Sequence, residues 1–123
     1  MKTILVDDEL LSMQQFEKEC MDIQEIELVG KFDNAKDALA YAKCNQVDFA
    51  LLDVQMPEMD GYTATRKIRS LPEFYKAQLP IIAMTANAFQ EDRDKALESG
   101  MNDFISKPID ITALFAILAK VLA

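Results

Sequence analysis

The chain has 123 residues, half of them apolar and 28% charged, which is ordinary globular composition for one domain over residues 1–123 and excludes a disordered chain. Its net charge of −8 opposes nucleic acid and anionic membranes as direct partners, because both need a basic footprint. The absence of histidine excludes His-based triads, His metal ligands and phosphohistidine, so phosphoryl chemistry here would need a histidine from another chain.

Residues 3–6 form a short apolar run that ends on Asp7-Asp8-Glu9, a first strand with acids at its tip. No apolar run is long enough to span a membrane and no signal-peptide pattern leads the chain, so a soluble, cytoplasmic protein is expected. Leu10, Met13, Phe16 and Cys20 recur at helical spacing and predict an amphipathic helix. Residues 26–32 predict a second strand, partly alternating as suits a place near the sheet edge. Ala35, Ala38, Leu39 and Ala42 follow with helical spacing, with Asp33 or Asn34 as the cap. Cys20 and Cys44 form no close-spaced motif and read as two reduced thiols.

Asp48 to Asp53 predicts a third strand, almost wholly apolar until the carboxylate at its end. A Met-Pro pair and Gly61 force a loop before a helix from Gly61 to about Ser70, whose Ala64, Ile68 and Leu71 face inward and which Pro72 closes. A polar loop precedes the fourth strand, Pro80 to Thr85, with proline at its first residue, where no ladder bond is lost. Ala88 to Ser99 predicts a helix stopped by Gly100. Its run Glu91-Asp92-Arg93-Asp94-Lys95 reads as a solvated face. A very short fifth strand, Phe104 to Ser106, ends at Lys107-Pro108, and Asp110 caps a last helix striped by Ile111, Leu114, Leu118, Val121 and Leu122. Five strands alternating with five helices imply an α/β fold, a doubly wound parallel sheet covered on both faces.

In such a sheet, ligands bind beyond the carboxyl ends of the strands. Asp7 and Asp8, Asp53, Thr85 and Lys107 all stand there. Three carboxylates in one pocket repel one another unless cations intervene. Mg²⁺ suits a site of few carboxylates with waters and a phosphate oxygen. Lys107 adds an ammonium that can pair with Asp53 or a phosphoryl oxygen, and Thr85 a hydroxyl. An ionised Asp beside Mg²⁺ and Lys is a competent nucleophile toward phosphorus, with an aspartyl phosphate as product.

The segments Ile4-Leu5-Val6-Asp7-Asp8-Glu9, Leu52 through Gly61, Met84-Thr85-Ala86 and Lys107-Pro108 together resemble the receiver domains of two-component response regulators, over essentially the full length. The resemblance implies a flavodoxin-like sheet of strand order 2-1-3-4-5 and Asp53 as phosphoacceptor. It implies Mg²⁺ held by Asp8, Asp53 and the Gln55 backbone carbonyl, with Asp7 acting through bound water, and phosphoryl contacts from Thr85 and Lys107. Phe104 falls at a family aromatic whose rotamer changes on activation, and Gln55 and Asn87 at positions that tune hydrolysis. Neither is an acid, so a phosphoryl lifetime of minutes or longer is expected. The implied partner is a histidine kinase or histidine phosphotransfer protein. Phosphorylation is expected to reshape the surface of helix four, strand five and helix five, and the chain to be a monomer or a weak dimer through that surface.

Up to Leu52 the chain is most similar to receivers joined to transcriptional DNA-binding domains, and from Gly61 onward to receivers fused to hybrid histidine kinases. That mixture leaves two origins open, a composite of two receivers joined near Asp53–Gly61 and a natural member of mixed character. An enzyme with free substrate turnover is not expected. A haloacid-dehalogenase-type phosphatase needs an acid where Gln55 stands, and a flavodoxin-like cofactor module needs a Gly-, Ser- or Thr-rich loop where Asp7-Asp8-Glu9 stand. The alternative that stays open is a pseudo-receiver that keeps the fold and signals without phosphate, although no site residue is missing.

Overall fold

The structure is a computed structural model, and it describes residues 1–21, 23–56, 58–73, 78–86, 90–107 and 109–121, with the backbone alone for 90 and 91. In chain order the described elements are β1 (Lys2–Val6), α1 (Leu10–Cys20), β2 (Glu27–Phe32), α2 (Ala35–Cys44), β3 (Phe49–Asp53), α3 (Gly61–Arg69), β4 (Ile81–Thr85), α4 (Gln90–Ser99), β5 (Asp103–Ser106) and α5 (Ile111–Val121). The strands pair in parallel in the order β2-β1-β3-β4-β5, as expected. Strand ends differ from the sequence reading by a residue, and Ala88, Leu122 and residues 74–77 of the loop before β4 lie outside the described residues.

Alternation along the strands sorts the core into two layers. Ile4, Val6, Ala50, Leu52, Ile81 and Ala83 point to one face, where Ala38 and Leu39 of α2, Ala64 and Ile68 of α3 and Ala96 of α4 cover them. Leu5, Phe49, Leu51, Ile82 and Met84 point to the other, under Met13 and Phe16 of α1 and Leu114 and Leu118 of α5. Central β3 and β4 are buried along their whole length, whereas edge strand β2 is half-exposed. That difference is why β3 and β4 read as unbroken apolar runs and β2 does not.

Local chemistry fixes the helix ends. The Asn34 side chain, the correct one of the two candidates, accepts the Asp37 N–H at 2.8 Å, and Asp60 accepts Thr63 N–H at 2.8 Å to start α3. Asp110 caps α5 by accepting Thr112 N–H at 2.9 Å. Gly100, at φ 104, ends α4 in a left-handed turn. Its N–H bonds Leu97 O, and Met101 N–H reaches back to Ala96 O at 3.0 Å, the paired bonds of a Schellman cap, with Met101 buried against the core. No described helix is long and apolar enough to cross a membrane. Both cysteines are free thiols. Burial pushes the Cys20 thiol up to about 11, with the Glu19 charge adding to it, which keeps it protonated and unreactive.

At the sheet edge remote from the strand tips, the half-buried Arg69 guanidinium ties α3 to α4 and β4. Its Nε and Nη2 donate to Gly100 O at 2.9 and 2.7 Å, Nη1 donates to Leu79 O at 2.6 Å, and Nη2 also reaches Asn102 Oδ1 at 2.9 Å. Asn102 closes the cluster by accepting Ile81 N–H through the same oxygen and donating its own N–H to Ile81 O, each at 2.8 Å. The sequence reading did not find this staple, since one arginine at a helix end carries no signal of its partners. Replacing Arg69 with Met keeps the apolar stem and strands the carbonyls, each worth about 1–3 kcal/mol when left unpaired. The R69M variant is expected to lose about 2–4 kcal/mol in urea unfolding at an unchanged m-value. A loss below about 0.5 kcal/mol, the range of an ordinary surface substitution, would contradict the staple.

Candidate functional site

Strands β1, β3 and β4 deliver Asp7, Asp8, Asp53 and Thr85 to one edge of the sheet because parallel strands end on the same side. Asp53 is the last residue of β3 and 5% exposed, and Asp7, just past β1, is 1% exposed. Each carboxylate is pinned by a turn of its own chain, since Asp7 Oδ1 accepts Glu9 N–H at 2.9 Å and Asp53 Oδ1 accepts Gln55 N–H at 3.0 Å. Lys107, just past β5, fills the space between their other oxygens. Its Nζ lies 2.8 Å from Asp7 Oδ2 and 2.9 Å from Asp53 Oδ2, with Glu9 Oε1 at 3.6 Å. A backbone bond from Lys107 N–H to Thr85 O at 2.9 Å sets the height of that lysine beside β4.

Gly61 shows why the loop after Asp53 ends in glycine. A Cβ there would stand 2.4 Å from the Asp53 carbonyl oxygen, so any side chain would push α3 away from the strand end. With glycine, Gly61 N–H closes the loop on Val54 O at 3.3 Å.

Asp7, Asp8 and Asp53 each place a carboxylate oxygen within 4.8 Å of the others. Asp8 is exposed, so the cluster opens to solvent on that side. A hard divalent cation fits this donor set of carboxylates with room for water. The site lies in a cleft of about 710 Å³ that is also lined by Glu9, Gln55, Met56, Thr85 and Lys107. Of the residues expected at the site, Asp8, Asp53, Gln55, Thr85 and Lys107 line this cleft and Asp7 joins them through the carboxylate cluster and Lys107; Phe104 lies on β5 and does not line the cleft, and Asn87 and Pro108 fall outside the described residues. The cleft also has a wall that the sequence reading missed, made by Asp60, Tyr62 and Asp92. Asp92, from the charged run read as a solvated helix face, is half-buried and lines the cleft. The Tyr62 hydroxyl is held above its ordinary pKa by burial and by the charges of Asp92 and Asp60.

Electrostatics follow from this crowding. Burial pushes the Asp53 carboxyl from 3.8 up to about 6. The Lys107 and Gln55 hydrogen bonds oppose that rise and the neighbouring Asp7 carboxyl adds to it. For Lys107, burial works to lower the ammonium, but its bonds to Asp7 and Asp53 and their charges outweigh burial and hold it above 10.5. One lysine therefore stays charged, while the acid at the centre is short of positive charge.

Comparison with known proteins agrees with the geometry. Residues 3–119 match the family model described as response regulator receiver domain. The chain is 36% identical over 97% of its length to hybrid signal transduction histidine kinase L of Dictyostelium discoideum, and 45% identical over 68% of its length to the sensor histidine kinase RcsC of Salmonella typhi. It spans only 7% and 8% of those proteins. Among solved structures, the receiver domain of the sensor histidine kinase PA1611 from Pseudomonas aeruginosa, with magnesium coordinated in its active-site cleft, superposes with a TM-score of 0.84 at 30% identity, covering 99% of this chain and 98% of that one. The CheX-CheY-BeF3-Mg²⁺ complex of Borrelia burgdorferi shares the fold, with a TM-score of 0.86 at 21% identity over 100% of this chain and 90% of that one.

A carboxyl whose folded pKa of about 6 exceeds its ordinary 3.8 gives the native state the extra proton between those values. Stability from this group therefore falls as pH rises from about 4 to 6. In metal-free protein, Asp53→Asn removes the uncompensated charge and should stabilise the fold by about 1–2 kcal/mol at pH 7.5, a gain that shrinks toward zero near pH 4. Urea unfolding of both proteins across that range checks it, and an Asp53→Asn protein less stable than the parent at pH 7.5 would contradict it.

Proposed function

The chain belongs to the response regulator receiver domain family, and on that premise we propose that it is the phosphoacceptor of a two-component relay, with Asp53 as the residue that takes the phosphoryl group. The observation that carries this reading is the meeting of Asp53 with Lys107 at 2.9 Å inside a three-carboxylate cluster. An isolated buried acid would be neutral, whereas this one has a cation on one oxygen and a backbone N–H on the other, so its ionised form stays within reach near neutral pH.

Mg²⁺ would be held by Asp8, Asp53 and the Gln55 backbone carbonyl, with Asp7 acting through water. When bound, the ion neutralises charge on the carboxylates and on phosphoryl oxygens. The remaining work is positioning by the chain. The Asp53 carboxylate attacks phosphorus as the P–N bond of a partner's phosphohistidine breaks, and the imidazole leaves with the electron pair and takes a proton. Lys107 moves its hydrogen bond from the carboxylate to a phosphoryl oxygen, and the Thr85 hydroxyl supplies a second contact. Such a donor comes from a histidine kinase or a histidine phosphotransfer protein, because this chain has no histidine.

The product carries about −1.5 to −2 charge at Asp53, beside the ends of β4 and β5. Thr85 drawn toward the new oxygens, with Phe104 following, would reshape the α4–β5–α5 surface, which is also where a weak dimer would form. In this reading the chain catalyses its own phosphorylation and dephosphorylation and turns over no free substrate.

Incubation with Mg²⁺ and acetyl phosphate is expected to add one phosphoryl group to the parent protein by mass spectrometry, none to Asp53→Asn and none after chelation of the metal. Lys107→Ala should lower the rate by about 10²-fold or more, the scale for losing a charged group that stabilises a transition state. The phosphoryl group should persist for minutes or longer. Equal labelling of the parent and Asp53→Asn would overturn the assignment.

A further inference from the structure

The Arg93 guanidinium of α4 lies over the Phe104 ring of β5, with Cζ 4.3 Å from the ring centroid. That is inside the roughly 6 Å range of a cation–π contact. Arg93 is exposed and Phe104 half-buried, packed against the α2–α3–α4 layer of the core. Phenylalanine has no hydroxyl, so no hydrogen bond from its own ring can hold it in either of two positions. What the ring offers is a negatively charged face, and in this structure a cation stands on it.

The neighbouring register supplies the other half of the argument. Phe104 pairs with Ala83 on β4, and Thr85, two residues on, points to the same side. Its cross-strand partner Ala83 carries only a methyl group. Rotation of the Phe104 side chain to another rotamer would carry the ring off the Arg93 guanidinium, which now stands 4.3 Å from its centroid. The cation–π contact therefore belongs to one of the two ring positions and not the other, which is the differential interaction that a conformational bias requires.

We infer that Arg93 is a positioning residue, a latch that holds Phe104 in its resting position and sets how far the phosphate-driven change must be pulled. The inference rests on the proposed phosphoacceptor function and adds a regulator to it. A cation–π contact at a partly exposed site corresponds to a factor of about two to five in the equilibrium. By linkage, releasing the latch should tighten binding of any ligand that prefers the turned ring by the same factor.

The test is a double-mutant cycle read by NMR titration of metal-loaded protein with beryllofluoride, in the parent, Arg93→Ala, Phe104→Leu and the double variant. Phe104→Met serves as a second background in case the leucine packs poorly. Arg93→Ala is expected to tighten beryllofluoride binding about two- to fivefold when Phe104 is present and to have no effect when the ring is gone. The Arg93 side-chain protons should show an upfield ring-current shift in the resting protein that disappears with beryllofluoride bound. An equal effect of Arg93→Ala with and without the ring would mean that bulk charge acts on the site, and the latch would be wrong. No effect in the parent background would overturn it too. A parent protein that takes up no beryllofluoride would remove both the phosphoacceptor reading and the latch, whereas binding without coupling removes the latch alone.

Discussion

One ammonium group serves two buried carboxylates, and the rest of the site takes its character from that shortage. Lys107 Nζ sits within 3 Å of both Asp7 and Asp53, while Asp8 and Glu9 add further negative charge at the mouth. Interactions of this kind strengthen as water is excluded, in both directions. The pairs with Lys107 keep the lysine charged, while burial, with a smaller push from the Asp7 carboxyl, lifts Asp53 to about 6 against the pull of that lysine. A site built this way is destabilised when empty and favours whatever brings positive charge or disperses the negative.

The fold makes that arrangement possible without strain at the acids. β3 is buried from end to end, so Asp53 is carried on a strand that cannot move independently of the core. Gly61 then lets α3 begin in contact with the Asp53 carbonyl, which keeps the loop short and the mouth of the cleft open. At the far edge, Arg69 holds the end of α4 and the approach to β4. The end of α4 that carries Asp92 and Arg93 faces the cleft and β5, so the helix is fastened by Arg69 at its base and has Arg93 over the Phe104 ring at the end near the site.

The elements were legible because parallel strands buried on both faces leave unbroken apolar runs, and the acids Asp7, Asp8 and Asp53 follow those runs directly. Lys107 was legible for the same reason, at the end of a strand only four residues long. What could not be read were contacts between elements that are distant in sequence. Arg69 finds Gly100 and Asn102 across 31 and 33 residues, and nothing beside Arg69 in the sequence marks it as different from Arg66 or Lys67. Asp92 and Arg93 lay in a charged run that reads as solvent-facing. The register of α4 against β5 alone decides that one faces the cleft and the other the ring.

In the proposed function Asp53 is a nucleophile poised near neutrality by burial against the pull of the lysine that it shares with Asp7. The most direct measurement is the carboxyl ¹³C titration of Asp53 in metal-free protein, with and without added Mg²⁺. A midpoint near 6 is expected in the absence of metal, with a clear downward displacement when Mg²⁺ is added. A midpoint near the ordinary 3.8, unmoved by the ion, would contradict it.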